Sequence, residues 1–108
     1  MIFTVNGNNW MLQYVRPNSE ELRRSDGVYT LGVTDNTTKT VTIADNLSDR
    51  MTDKVLCHEL THVYSFENDC HMDMHTEEIV ADFLSLYGRD IVYMADDLMK
   101  IFPRKVAY

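Results

Sequence analysis

The sequence predicts an α+β fold in which a small sheet packs on two long helices. Three observations carry this expectation. Short β-branched segments broken by turn residues fill residues 1–44. Helical apolar periodicity then runs over 49–67, and a second helical stretch begins at Thr76 and extends towards Pro103. At 108 residues the chain has the length of one domain, read as residues 1–108.

The elements follow in order. Residues 1–5 alternate weakly, and Asn6-Gly7 suits a tight hairpin turn. Trp10 to Val15 reads as a strand that Pro17 ends. Ser19 to Arg24 forms a short helix capped by Asn18 or Ser19 and closed by Asp26-Gly27. A second hairpin follows: Val28 to Val33, a turn at Asp35-Asn36-Thr37-Thr38, and Lys39 to Ala44. Thr40 to Ala44 alternates with period two and is rich in β-branched residues, as a half-buried strand requires.

Ser48 is the expected N-cap of the first long helix, with Asp49 and Asp53 placed to favour its N-terminus. Met51, Val55, Leu56, Leu60, Val63 and Phe66 cover more than one stripe, so this helix is expected to be largely buried. Residues 67–75 form a polar connector. Thr76 is the expected cap of the second long helix, and apolar residues from Ile79 to Leu98 supply its packing faces. Gly88 is the point where it kinks or breaks, and Pro103 stops it.

Composition narrows the function. The net charge of −7 excludes nucleic acid as the main partner, because binding phosphates needs clustered Lys and Arg. No apolar run approaches the ~18 residues of a membrane span. The first residues lack a basic region followed by an apolar run, so no signal peptide is expected and the cytoplasm is the default location. There the two cysteines, Cys57 and Cys70, stay reduced.

The chemistry is concentrated in His58-Glu59-Leu60-Thr61-His62, which reads H-E-x-x-H. With four histidines in the chain, chance placement gives such a pentapeptide on the order of 1% of the time, so its context must decide. On a helix, residues four apart share a face, so His58 and His62 can direct their imidazoles at one ion. Glu59 is near enough to act as a base on water at that ion. These are the parts of a zinc-assisted hydrolase.

A catalytic zinc takes three protein ligands and leaves one position open. The candidates for the third are Glu67, Asp69, His71, Asp73, His75, Glu77 and Glu78. Geometry favours Glu78, in the first turn of a rigid helix that can pack on the first. Asp82 lies one turn on, on the same face, where it can accept the second ring N–H of a ligand histidine. A rival reading takes His71 or His75 as the third ligand or as part of a second metal site.

An H-E-x-x-H helix followed by Glu78-Ile79-Val80-Ala81-Asp82 resembles the gluzincins, the thermolysin-like zinc peptidases. The strand hairpin ahead of it in so small a chain is more specifically similar to the ImmA/IrrE-type peptidases of phages and mobile elements. The resemblance spans roughly residues 28–98. It implies a minimal zincin-like metallopeptidase domain, with His58, His62 and Glu78 as zinc ligands, Glu59 as catalytic base and Asp82 as the partner of His58. Glu77 stands where that pattern has an asparagine. The implied substrate is a protein or peptide, such as one dedicated regulatory protein, and a partner chain could complete the cleft. An edge strand within residues 39–44 is expected to hold the substrate. The candidates to steady the oxyanion or line the cleft are Tyr64, His71, His75, Tyr87 and Tyr93. The alternatives are a zinc-binding regulatory module without turnover and a metal-free helical interaction domain.

Overall fold

A computed structural model describes residues 1–102 and has the expected α+β architecture, with a four-stranded mixed sheet. The strands are β1 (Ile2–Val5), β2 (Asn8–Val15), β3 (Gly32–Asp35) and β4 (Thr40–Ala44), in the order β1-β2-β4-β3. β1–β2 and β3–β4 pair antiparallel, while β2 and β4 run parallel. A 3-10 turn, Glu20–Leu22, lies in the crossover from β2 to β3. The helices are α1 (Asp49–Glu67), α2 (Met74–Phe83) and α3 (Arg89–Ile101), the last two joined by a π turn, Leu84–Gly88. The stop expected at Pro103 falls outside the described residues.

The β1–β2 turn forms as its residues demand. Asn6 and Gly7 both have positive φ, 51° and 82°, which asparagine and glycine tolerate best. The core gathers Val5, Trp10, Val41 and Ile43 from the sheet against Val63 of α1. Thr42 and Ala44 are buried as well, so β4 is covered on both faces rather than half-buried as its alternation predicts. Its central place explains this. The 3-10 turn with fully buried Leu22 packs against β3 and β4, and Gln13 donates to the Thr42 hydroxyl at 2.9 Å.

Other expectations are corrected. The strand at Val28 to Val33 shifts to Gly32–Asp35, because pairing with β4 sets the register through Thr34 opposite Val41. The short helix at Ser19 to Arg24 shrinks to one 3-10 turn. α2 begins earlier than Thr76: Asp73 is its cap and accepts from the Thr76 amide at 2.8 Å. α1 has the expected bounds and the expected cap, Ser48 accepting from the Met51 amide at 3.2 Å. It buries one face, however, and Met51 and Tyr64 remain exposed. The second long helix buries only Glu77 and Ala81 among the described residues.

No helix among the described residues is long and apolar enough to cross a membrane. Both cysteines are free, Cys57 half-buried and Cys70 exposed.

Candidate metal centre

α1 and α2 meet so that three carboxylates of α2 surround two imidazoles of α1. His58 and His62, one turn apart, bring their Nε2 atoms to 3.4 Å from each other. Glu78 reaches across from α2, with its two oxygens 3.1 Å from His58 Nε2 and 3.0 Å from His62 Nε2. The outer nitrogens are held by other carboxylates. His58 Nδ1 lies 2.9 Å from Asp82, and His62 Nδ1 lies 2.8 Å from Glu77.

An ionised carboxylate only accepts, and one stands within reach of every nitrogen of the two rings. With a cation between the rings, each Nδ1 donates to Asp82 or Glu77 and each Nε2 turns its lone pair, beside the Glu78 oxygens, to the ion. The spacing fits such an ion. Two donors ~2.0–2.1 Å from a tetrahedral ion lie roughly 3.3 Å apart, close to the spacing seen here. His58, His62 and Glu78 could therefore hold a metal ion.

Charge points the same way. Glu59 and Glu77 are buried, and Glu78 and Asp82 lie beside them. Among the described residues none of these four carboxylates has a Lys or Arg ion-pair partner. Buried carboxylates left without a cation are costly, and a divalent ion is the compensating charge that this site can take.

Glu59 sits on the α1 face towards β3. Its Oε1 lies 2.8 Å from the Thr34 hydroxyl, which is also 3.1 Å from the Glu59 carbonyl oxygen. Burial pushes the Glu59 pKa above the ordinary carboxylate value, and the Thr34 hydrogen bond and the two histidines pull against that rise. The strand comes this close because residue 32 is a glycine. A Cβ there would stand 2.7 Å from Val55 Cγ1 and 3.1 Å from Glu59 Cγ. Val55 is stiff at χ1 and cannot turn aside cheaply. Gly32→Ala is therefore expected to lower stability by about 1–3 kcal/mol, read as a lower urea midpoint. An unchanged midpoint would show that β3 is free to move off α1.

The cleft above the site has a volume of about 950 Å³. One wall is β3 from Gly32 to Thr34, and the floor is His58, Glu59 and His62. Two expectations fail here. β4 is interior to the sheet, so residues 39–44 cannot be the open edge; β3 is. Tyr64, His71, His75, Tyr87 and Tyr93 are not among the residues lining the cleft. Tyr64, Tyr87 and Tyr93 are exposed, as are the two histidines on the approach to α2 and in its first turn. Glu67, also a ligand candidate, closes the far end of α1 by accepting from Trp10 Nε1 at 2.8 Å and Lys39 Nζ at 3.2 Å.

Sequence reasoning missed Thr34 and Gly32, whose roles depend on where β3 lies against α1. It also missed Arg23, Arg24 and Lys54, which bring positive charge to the cleft lining. Glu77 was visible as a ligand candidate and as a departure from a family pattern; its contact with His62 Nδ1 gives it a different task. Comparison with protein-family models finds no match, and a search of curated proteins finds none either.

Proposed function

We propose that this protein is a zinc-dependent metallopeptidase of gluzincin type that hydrolyses peptide bonds. The observation that carries the reading is the convergence of His58, His62 and Glu78 on one point, with Glu59 beside them and tied to an open sheet edge. Two imidazoles and one carboxylate are a donor set that suits zinc and leaves one position open.

His58, His62 and Glu78 would hold the ion. Zinc, when bound, supplies a Lewis acid that lowers the pKa of water towards ~7 and polarises a carbonyl. Asp82 and Glu77 keep both histidines in the tautomer whose Nε2 is free to ligate. The Glu59 carboxylate accepts the proton of the attacking water and returns it to the departing amine. Its raised pKa suits both halves of that task. Thr34 restrains Oε1, so the base is placed before substrate arrives. The open edge of β3 offers backbone N–H and C=O groups to an extended peptide, which adds to the sheet as a further strand. Lys54 along the same cleft would favour an acidic side chain in that peptide, whereas Arg23 and Arg24 already face Glu20 and Asp26. A single dedicated regulatory protein is the substrate class that fits a cleft with so few elements around it.

The test is hydrolysis of an unstructured peptide library by the zinc-loaded protein in heavy-oxygen water. The expected result is new carboxyl termini bearing the heavy isotope, lost on chelation and restored by zinc. A protein that holds zinc stoichiometrically and leaves every peptide intact would instead be a zinc-binding regulatory module.

A further inference from the structure

α3 leaves the body of the protein with its apolar side uncovered. The helix makes its main contacts with the π turn from which it grows, and Arg89 at its first residue is pinned to Asp53 of α1 by two hydrogen bonds of 2.7 and 2.9 Å. Among the described residues none of this helix is buried, and the described chain extends 57 Å along its long axis against 30 and 28 Å across.

The uncovered residues are ordered. Tyr87, Ile91, Met94, Leu98 and Ile101 recur at steps of four, three, four and three, the spacing of a seam between paired helices. Val92, Met99 and Phe102 widen the seam on one flank. Asp90 and Asp97 line the other flank. We propose that this seam pairs two copies of the chain through their α3 helices, side by side and parallel.

Three arguments select a second copy. The first is register: an identical helix presents the same spacing over the same length, so each seam residue meets its own counterpart in a parallel pair. The second is area. These eight side chains are 52–84% exposed. At roughly 90 Å² each, they can remove at most ~700 Å² per copy from water, against the ~800 Å² per partner of a standard interface. The uncovered patch also exceeds the ~300–600 Å² that a typical monomer leaves open. The third is charge. An antiparallel pair would set Asp90 and Asp97 against the same acids of the other copy. A parallel pair sets them against the flank that carries Ala95 and Phe102.

Sedimentation equilibrium of the zinc-loaded protein at about 100 μM, where an interface of this size is populated, reads the result directly. Wild type is expected at twice the chain mass. Leu98→Asp should fall to the chain mass, while Tyr93→Asp, on the side away from the seam, should stay at twice. Leu98 is half exposed, so its variant keeps its fold, and unchanged zinc uptake and circular dichroism would establish that. Wild type at the chain mass, or a Leu98→Asp protein that remains paired, would overturn the proposal. The mass is independent of turnover, so a paired protein that cuts nothing would count against the peptidase reading alone.

Discussion

Glu59→Gln is expected to keep zinc and lose turnover by a factor of roughly 10³ or more, because one side chain both accepts and delivers the proton and general acid–base catalysis contributes ~10²–10⁴. The variant is close to isosteric. The Gln carbonyl can still accept from the Thr34 hydroxyl that lies 2.8 Å from Oε1 in the wild type, so the side chain keeps its place. His58, His62 and Glu78 are untouched, so metal content should stay at one equivalent by elemental analysis. A variant that cleaves at the wild-type rate would remove Glu59 from the mechanism. The same substitution has a signature in stability. Burial raises the Glu59 pKa, so the folded metal-free protein holds this proton more tightly than the unfolded chain does. Its stability should fall as pH rises from the ordinary carboxylate value of ~4.3 through the raised one, since the native state binds the extra proton in that window. Glu59→Gln is neutral throughout and should lose that pH dependence.

The residues behind these expectations were legible to different degrees. The extent of α1 was readable because Ser48 caps it and helical apolar spacing runs on behind it, although how much of it is buried was not. Glu78 and Asp82 were readable because a four-residue step on a helix fixes a shared face, whatever packs above it. The cap of α2 was not, since Asp73 and Thr76 are both good capping residues three apart and only the closed Asp73–Thr76 bond separates them. β3 was misplaced for a tertiary reason. Its own residues Gly32, Thr34 and Asp35 include poor strand formers, and pairing with β4 recruits them regardless. Thr34 and Gly32 became functional candidates only once that pairing had set β3 on α1. The exposure of α3 was also hidden, because an apolar seam reads the same whether its partner is the chain's own core or another molecule.

Zinc removal is expected to cost the protein much of its thermal stability, and Glu77 should show why. A ligand that binds only the native state adds about 4 kcal/mol at a thousand times its Kd. At about 4–8 °C per kcal/mol for a small domain, the zinc-loaded protein should melt roughly 15–30 °C above the chelated one. The site sharpens the effect, because the carboxylates of Glu59, Glu77, Glu78 and Asp82 crowd together without Lys or Arg partners once the metal is gone. Glu77→Gln separates charge from packing. The amide oxygen can still accept from His62 Nδ1, now 2.8 Å from the carboxylate, so the ring keeps its orientation. What is lost is the negative charge that makes Nε2 a stronger donor. Removing such a partner lowers metal affinity about 10–100-fold, and the zinc-induced gain should shrink by about 1.4–2.7 kcal/mol. The chelated variant should move the other way and melt above chelated wild type, because a buried uncompensated carboxylate has become neutral. Differential scanning calorimetry of both proteins with and without zinc gives all four temperatures. A packing lesion would lower both forms by the same amount, and that result would strip Glu77 of its electrostatic role.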